Sequence, residues 1–470
     1  MWCICGFLLG SAGVIVAVLL VVAPEIAVLT EFVGELLPLP VVAPLPQGAA
    51  GRALAFHLMV GGTALIQGSA VVVMAEDFTV KGGSIGHPNA AKRTRLVRLA
   101  LEQRMPVVLM LDGAGERTSN QTERYPNTPN DLQLVADLKG QVPVVTLVLG
   151  ISAGHGALTG MFADLIIMLA GSAMFTAGPP LVQASLGIAS TAEELGGAAM
   201  HTSRSGVAHN LGQSEQECFA MARYFLSLLP NHAGGALPDR PDTPAARPYD
   251  SEQLLDIIPP QANQSYDMRE VLRALVDSQS LFELQPDYGR NILTALARVG
   301  GMPCMLVANQ PAVQAGAITT EAADKATHFI DMATSFNLPL ITLLDNPGVM
   351  PGPQAEASGV LRAAGRMFQA QRRYRGRKVV ITLRKAFGFG SSVMGMNPWD
   401  RQAISIALPA VTLGGVPVIG GAEAARASAA EAEQLRDIQS GAWVPADAMA
   451  FDKVVDPRQL RREIITALRR

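Results

Sequence analysis

Along most of the chain, short runs of β-branched and other apolar residues alternate with stretches whose apolar positions recur at helical spacing. VVMAEDFTVKGGSI, from Val72 to Ile85, opens as a buried strand and ends in a glycine-rich turn. AKRTRLVRLALEQRMP, from Ala91 to Pro106, sets its apolar residues at helical spacing and stops at a proline. PVVLMLDGAG, from Pro106 to Gly115, returns to strand composition. Apolar runs this short, with little polar alternation, suit parallel strands covered on both faces, and the periodic stretches between them suit amphipathic helices.

The pattern occurs twice. Shifted by 233 positions, MLVANQPAVQAGAI (Met305 to Ile318) follows the first segment, with Ala75, Val80, Gly83 and Ile85 in register with Ala308, Val313, Gly316 and Ile318. At the same shift DKATHFIDMATSFNLP (Asp324 to Pro339) matches the helical stretch, and PLITLLDNPG (Pro339 to Gly348) matches the strand after it. In both strands an Asp lies six residues past the Pro, and a Gly three past the Asp. A further pair follows at a slightly longer offset: VVTLVLGISAGHGALTG (Val144 to Gly160) and VVITLRKAFGFGSSVMG (Val379 to Gly395). Each is a strand that breaks into a glycine-rich turn and can start a helix. Blocks repeated in one order identify an internal duplication of an α/β domain. The polar, proline-rich stretch from Pro230 to Gln264 separates the copies. The expected organisation is an atypical apolar segment over 1–50, a first domain over 51–240, a linker over 241–264 and a second domain over 265–470.

The repeated loops suggest chemistry. Backbone N–H groups in glycine-containing turns that lead into helices are free donors, and two such loops facing each other form an oxyanion hole. Glycine lets a donor amide approach a ligand closely and tolerates positive φ. The candidate donors are Gly115 and Glu116 with Gly154 and His155 in the first half, and Gly348 and Val349 with Phe389 and Gly390 in the second. The alternative is ordinary tight turns at sheet ends. No nucleophile elbow, zinc-protease helix or phosphate-binding loop is present in the sequence. His155 either acts through its ring as an acid–base group or contributes only its amide. HTSRSGVAH, between His201 and His209, either lines a site or caps a helix through Thr202 and Ser205. Lys81, Arg117, Arg384 and Lys385 adjoin the loops, where they could meet phosphates or a carboxylate or form a solvated rim.

Composition narrows the picture. The 470 residues carry a net charge of −3 with both signs scattered, so no basic stripe argues for nucleic acid and no acidic run for a solvating tail. The four cysteines, Cys3, Cys5, Cys218 and Cys304, form neither a disulfide framework nor a zinc pair, which fits a reducing, cytoplasmic setting. No metal is expected. From Met1 to Pro24 no residue is charged, and the first basic residue is Arg52. That stretch is open to three readings: a misplaced translation start, a membrane anchor or signal over residues 1–24, or a buried terminal segment.

Taken together, DFTVKGGSIG (Asp77 to Gly86), ELGGAAMHTSRSGVAH (Glu194 to His209), SLLP before Asn231, YDMREV (Tyr266 to Val271), DNPGVMPG (Asp345 to Gly352) and RKAFGFGSSVMG (Arg384 to Gly395) resemble the carboxyltransferase (beta) subunits of biotin-dependent acyl-CoA carboxylases. The likeness covers roughly Val60 to Arg470. It implies two tandem crotonase-like ββα-spiral domains, a homohexameric core, and transfer of a carboxyl group from carboxybiotin on a separate carrier protein to the α-carbon of a short acyl-CoA. A biotin carboxylase and biotin carrier subunit would be the partners, and biotin itself would serve as the base. The hole amides carried over are Gly154 and His155, and Phe389 and Gly390. Gly82, Gly83, Arg117, Gly178, Lys385 and Ser392 are candidate substrate contacts, with Ser392 where members vary with acyl-chain choice. Glu116 stands where the family has a small residue, and His155 where it has glycine. These departures keep two other readings open: a carboxyacyl-CoA decarboxylase subunit running the transfer in reverse, and an impaired paralogue acting as a CoA-binding scaffold.

Overall fold

The computed structural model describes residues 35–36, 59–117, 131–240, 252–397, 399–418 and 426–470. The apolar N-terminal stretch, except for the two-residue strand Glu35–Leu36, lies outside these, as does the first part of the expected linker. Among the described residues no helix is long and apolar enough to cross a membrane.

The first half starts with β1 (Met59–Ile66) and β2 (Ser69–Glu76), an antiparallel pair. Gln67 and Gly68 join them, both at positive φ, as a two-residue hairpin turn requires if its twist is to match the strands. Then come α1 (His87–Gln103), β3 (Val107–Gly113), α2 (Asp131–Asp137), β4 (Val144–Ala153), α3 (Gly154–Gly160), β5 (Leu165–Leu169), β6 (Ala173–Phe175) and α4 (Pro179–Leu186). Strands β1 to β5 lie side by side in chain order, β2 to β5 parallel, and β6 pairs with the end of β4. Val73, Val108, Val145 and Ile167 are buried in these central strands. Such burial contributes roughly 1.5–3 kcal/mol per large aliphatic side chain and explains the near-continuous apolar runs.

The second half repeats this order. β7 (Ile292–Val299) and β8 (Met302–Asn309) form the hairpin, turned by Gly300 and Gly301 at positive φ. They lead to α5 (Thr320–Ser335), β9 (Leu340–Asn346), α6 (Val360–Arg373), β10 (Lys378–Phe387), α7 (Gly388–Val393), β11 (Ile404–Ala407) and β12 (Thr412–Gly414). β7 to β11 are again neighbours in chain order, and β12 pairs with the end of β10.

The repeat extends to an irregularity. The β3–β4 register shifts between Leu111 and Gly113, and the β9–β10 register shifts between Leu344 and Asn346. In each half the later strand carries the extra residues, a bulge that bends its end just before the glycine-rich turn. The pairing also fixes the equivalence of the copies. Val144 lies opposite Val107 as Lys378 lies opposite Leu340, so the last repeated block aligns at 234 positions. Gly154 therefore corresponds to Gly388, and His155 to Phe389.

The compact units do not follow a single cut in the chain. One comprises residues up to Gly197 with Gly212–Arg223; the other takes Ala198–Leu211 with the residues from Tyr224 onward. Within the second unit, Asn210 Nδ2 donates to Glu283 O at 3.0 Å, and Gln285 Nε2 donates to Gly206 O at 3.0 Å. His201 to Ser205 form a π-helical turn in which His201 Nδ1 lies 2.7 Å from Ser205 Oγ.

Candidate active site

In the first half the expected donor loops come together. After β2 the backbone of Lys81, Gly82 and Gly83 turns through positive φ. A Cβ on Gly83 would lie 2.3 Å from Asp112 O, so only glycine lets this turn press against the end of β3. Ala114 N–H donates to Gly82 O at 2.8 Å. Ile85 N–H donates to Gly115 O at 2.7 Å, and Arg117 N–H to Ile85 O at 3.1 Å. These two bonds form one parallel ladder step around Glu116, whose own N–H faces away from Ile85. Gly115, at φ 85°, packs against the β4–α3 junction: a Cβ there would meet Ala153 O at 2.7 Å. At that junction Ala153 is extended and no side chain caps α3. The amides of Gly154 and His155 thus begin a helix without an intrahelical acceptor.

The second half is built alike. Ile318 N–H donates to Gly348 O at 3.1 Å and Met350 N–H to Ile318 O at 2.9 Å, leaving the Val349 amide facing away. Phe387 is extended and α7 has no side-chain cap. Gly154 and Gly388 sit at nearly the same left-handed φ, 52° and 56°. A Cβ on Gly390 would lie 2.7 Å from Gly348, so these loops also touch. Two details differ from the sequence expectation. Gly348 N–H donates to Asn346 Oδ1 at 3.0 Å, which engages that donor internally. The 234-position equivalence also makes Gly388 and Phe389 the counterparts of Gly154 and His155, so Phe389 and Gly390 stand one place further along.

The candidate substrate contacts fall around these junctions. Arg117 Nε donates to Ser84 Oγ at 3.2 Å, and its guanidinium lies over Gly86 at the start of α1. Gly178 precedes α4, two residues beyond Thr176, whose carbonyl faces Gly154. Lys385 turns inward, with Nζ 3.5 Å from Asp345 Oδ1. Ser392 is half-buried in α7, and its carbonyl accepts from Asn397 Nδ2 at 2.9 Å.

An aspartate pins each bulge. Asp112 Oδ1 accepts from Ile151 N–H at 3.0 Å, and Asp345 Oδ1 accepts from Lys385 N–H at 3.3 Å. Their surroundings diverge. Asp345 meets Arg384 Nε at 2.8 Å and the Tyr266 hydroxyl at 2.9 Å, with the guanidinium 4.6 Å above the Tyr266 ring. Arg384 Nη1 also donates to the carbonyls of Pro259, Gln261 and Gln264, which fastens the segment before Tyr266 to β10. Burial, reinforced by Asp345, pushes the Tyr266 hydroxyl well above its usual range, so it stays a donor.

In the first half Gly150 replaces Arg384, and a Cβ there would strike Asp112 Oδ1 at 2.2 Å. Charge is organised on the other side instead. Asp112 N–H donates to Glu76 Oε2 at 3.2 Å; Glu76 Oε1 pairs with Arg93 at 3.0 Å; Arg93 pairs with Asp131 at 2.6 Å; and Asp131 Oδ1 meets His155 Nε2 at 3.0 Å. Burial raises the Glu76 carboxyl, against the pull of Arg93, and burial also raises Asp112. Burial would raise Asp131 too, but the hydrogen bond from His155 and the charge of Arg93 outweigh it and hold Asp131 at about 2. Glu76, Arg93 and Asp131 escaped the sequence reading. Their only signal was a charge placed inside an apolar strand or helical face.

A carboxyl transferase domain model matches residues 49–469. The chain belongs to the carboxyltransferase family. The resemblance read from the motifs is therefore shown, and the fold is the α/β architecture of two tandem crotonase-like halves related by duplication. Methylmalonyl-CoA decarboxylase subunit alpha of Veillonella parvula is 33% identical over 422 residues, covering 87% of this chain and 81% of that protein. The methylmalonyl-CoA carboxyltransferase 12S subunit of Propionibacterium freudenreichii subsp. shermanii is 31% identical over 427 residues, covering 87% and 80%. A transcarboxylase 12S structure with methylmalonyl-coenzyme A and methylmalonic acid bound, described as a hexamer assembly, superposes with a TM-score of 0.86 at 28% identity, over 94% of this chain and 88% of the other. Among the described residues no group of three or more metal-ligating side chains occurs.

Proposed function

We propose that this carboxyltransferase moves a carboxyl group from biotin on a separate carrier protein to the α-carbon of a short acyl-CoA, with charge held in one amide hole per half. The observation that carries this reading is the duplicated junction: an outward amide beside an uncapped, left-handed glycine, at equivalent places in both halves. The first-half hole is assigned to the amides of Glu116, Gly154 and His155, and the second, by the 234-position equivalence, to those of Val349, Gly388 and Phe389. The thioester oxygen gains negative charge as the α-proton leaves, and converging amides stabilise it more than the neutral carbonyl. The donor set fits that task and offers no base of its own: it is made of backbone N–H groups. Biotin, when presented, supplies both the carboxyl group and the base for the α-proton. Glu116 is exposed, so its carboxylate can turn to solvent while its amide serves the hole.

The partners in this reading are a biotin carboxylase and biotin carrier subunit, and the active form is a homohexamer like the assembly described for the 12S relative. Methylmalonyl-CoA and malonyl-CoA are the substrates to try first. The likeness to a decarboxylase subunit supports a second reading, in which the same site runs from carboxyacyl-CoA towards biotin.

The test mixes the purified chain with malonyl-CoA or methylmalonyl-CoA and free biocytin and follows loss of the carboxyacyl-CoA. Biocytin-dependent loss is expected. A folded oligomer that binds CoA yet turns over neither ester would favour the scaffold reading, in which a Glu116→Ala, His155→Gly double variant gains activity.

A further inference from the structure

We infer that His155 is a positioning residue of the first-half donor junction, acting through Asp131, with no counterpart in the second half; the inference rests on the carboxyl-transfer reading. The junction runs from the bulge at Ile151 to His155, and one buried chain of side chains grips it at both ends. Ile151 N–H is held by Asp112, whose own N–H is held by Glu76. Glu76 binds Arg93, Arg93 binds Asp131, and Asp131 binds the His155 ring. The side chains of Glu76, Arg93 and Asp131 are only 2–3% exposed. Asp131 is ionised at any working pH, so it can only accept, and the His155 nitrogen facing it must carry the proton. Because Asp131 is the first residue of α2, this bond also ties the start of α2 to the start of α3.

The second half lacks the outer grip. Asp345 holds Lys385 N–H at the bulge, but the residue equivalent to His155 is Phe389, which is 55% exposed, whereas the His155 ring is 13% exposed. At the position of Arg93, 233 residues on, stands Ala326. The two junctions thus share a backbone path but differ in how firmly it is held. An amide displaced by a fraction of an ångström loses much of its value to a developing oxyanion. His155 in this account touches no reacting atom; it keeps the amides of Gly154 and His155 aimed.

The experiment compares His155→Phe, which copies the second half, with His155→Gln, which keeps an N–H donor for Asp131. In the biocytin assay H155F lowers kcat about 30-fold with KM for the carboxyacyl-CoA within about twofold, and H155Q returns kcat to within about threefold of the parent. Hydrogen exchange reads the same junction without turnover: amides 153–157 exchange at least about tenfold faster in H155F and near the parent rate in H155Q. Parent kcat in H155F, a change in KM alone, or unchanged exchange at 153–157 would overturn the inference. If the parent protein turns over no carboxyacyl-CoA, the carboxyl-transfer reading fails instead, and exchange still decides whether His155 holds the junction.

Discussion

The two halves solve one backbone problem with different side chains. Each must hold a bulged strand end and a left-handed glycine so that amides stay free of internal partners. In the second half the support lies beneath the bulge: Asp345 is neutralised by Arg384, which also gathers the carbonyls of Pro259, Gln261 and Gln264. In the first half Gly150 leaves no room for that arginine, and an ion chain from Glu76 to His155 braces the far side of the turn. A duplicated domain therefore preserves the path of the main chain while the charges that stiffen it are free to move. What is repeated is the demand for exposed amides; what has diverged is how each hole is stiffened.

Removing either arginine should have the largest effect. Arg93→Met and Arg384→Met each strand buried carboxylates and should destabilise by about 3–5 kcal/mol in denaturant titrations. The comparison sharpens with neutralised partners. Adding Glu76→Gln and Asp131→Asn to Arg93→Met should recover most of the loss, whereas Asp345→Asn added to Arg384→Met should not, because the carbonyls of Pro259, Gln261 and Gln264 remain unbound.

A smaller effect is the acid limb of the first half. Asp131 titrates at about 2 when folded, below its ordinary 3.8, so the unfolded chain takes up the proton first. Its stabilisation is present above pH ~4 and is lost as pH falls towards ~2, a contribution of about 2 kcal/mol. Asp131→Asn should remove that part of the acid limb, and an unchanged limb in this variant would show that other carboxylates carry it.

The smallest expected effects separate the two junction side chains. His155→Phe leaves Asp131 short of a donor in a buried setting and should cost about 1–3 kcal/mol. Phe389→Ala removes an exposed ring and should change stability by about 0.5 kcal/mol or less. Equal losses at both positions would break the contrast.

Much of this was legible in the sequence because duplication shows twice. The strands, the helices between them, the paired Asp112 and Asp345 and the glycines at both junctions follow from apolar runs, periodicity and spacing. The final register did not. The second copy's strand begins with Lys378, a lysine 2% exposed and paired with Asp400, which pattern reading takes for a polar flank. Matching Val144 to Val379 instead moved the donors of the second half by one place. The supporting ions stayed hidden for a related reason: Glu76, Arg93 and Asp131 look like solvent-facing charges until the fold brings them together. Nor could spacing show that segment Ala198–Leu211 packs with the second unit, since Asn210 and Gln285 meet only in the folded chain.

The account rests on both junctions working in one reaction. Gly154 and Gly388 share a left-handed backbone, and alanine at either place is strained by roughly 1–2 kcal/mol, enough to move the adjoining amides without unfolding the chain. The decisive measurement is kcat for biocytin-dependent consumption of methylmalonyl-CoA or malonyl-CoA by the parent protein, Gly154→Ala and Gly388→Ala side by side. Losses of about a hundredfold in both folded variants are expected, because each hole stabilises charge that develops in the reaction. Full activity in either variant would contradict the account, leaving one junction as a structural turn.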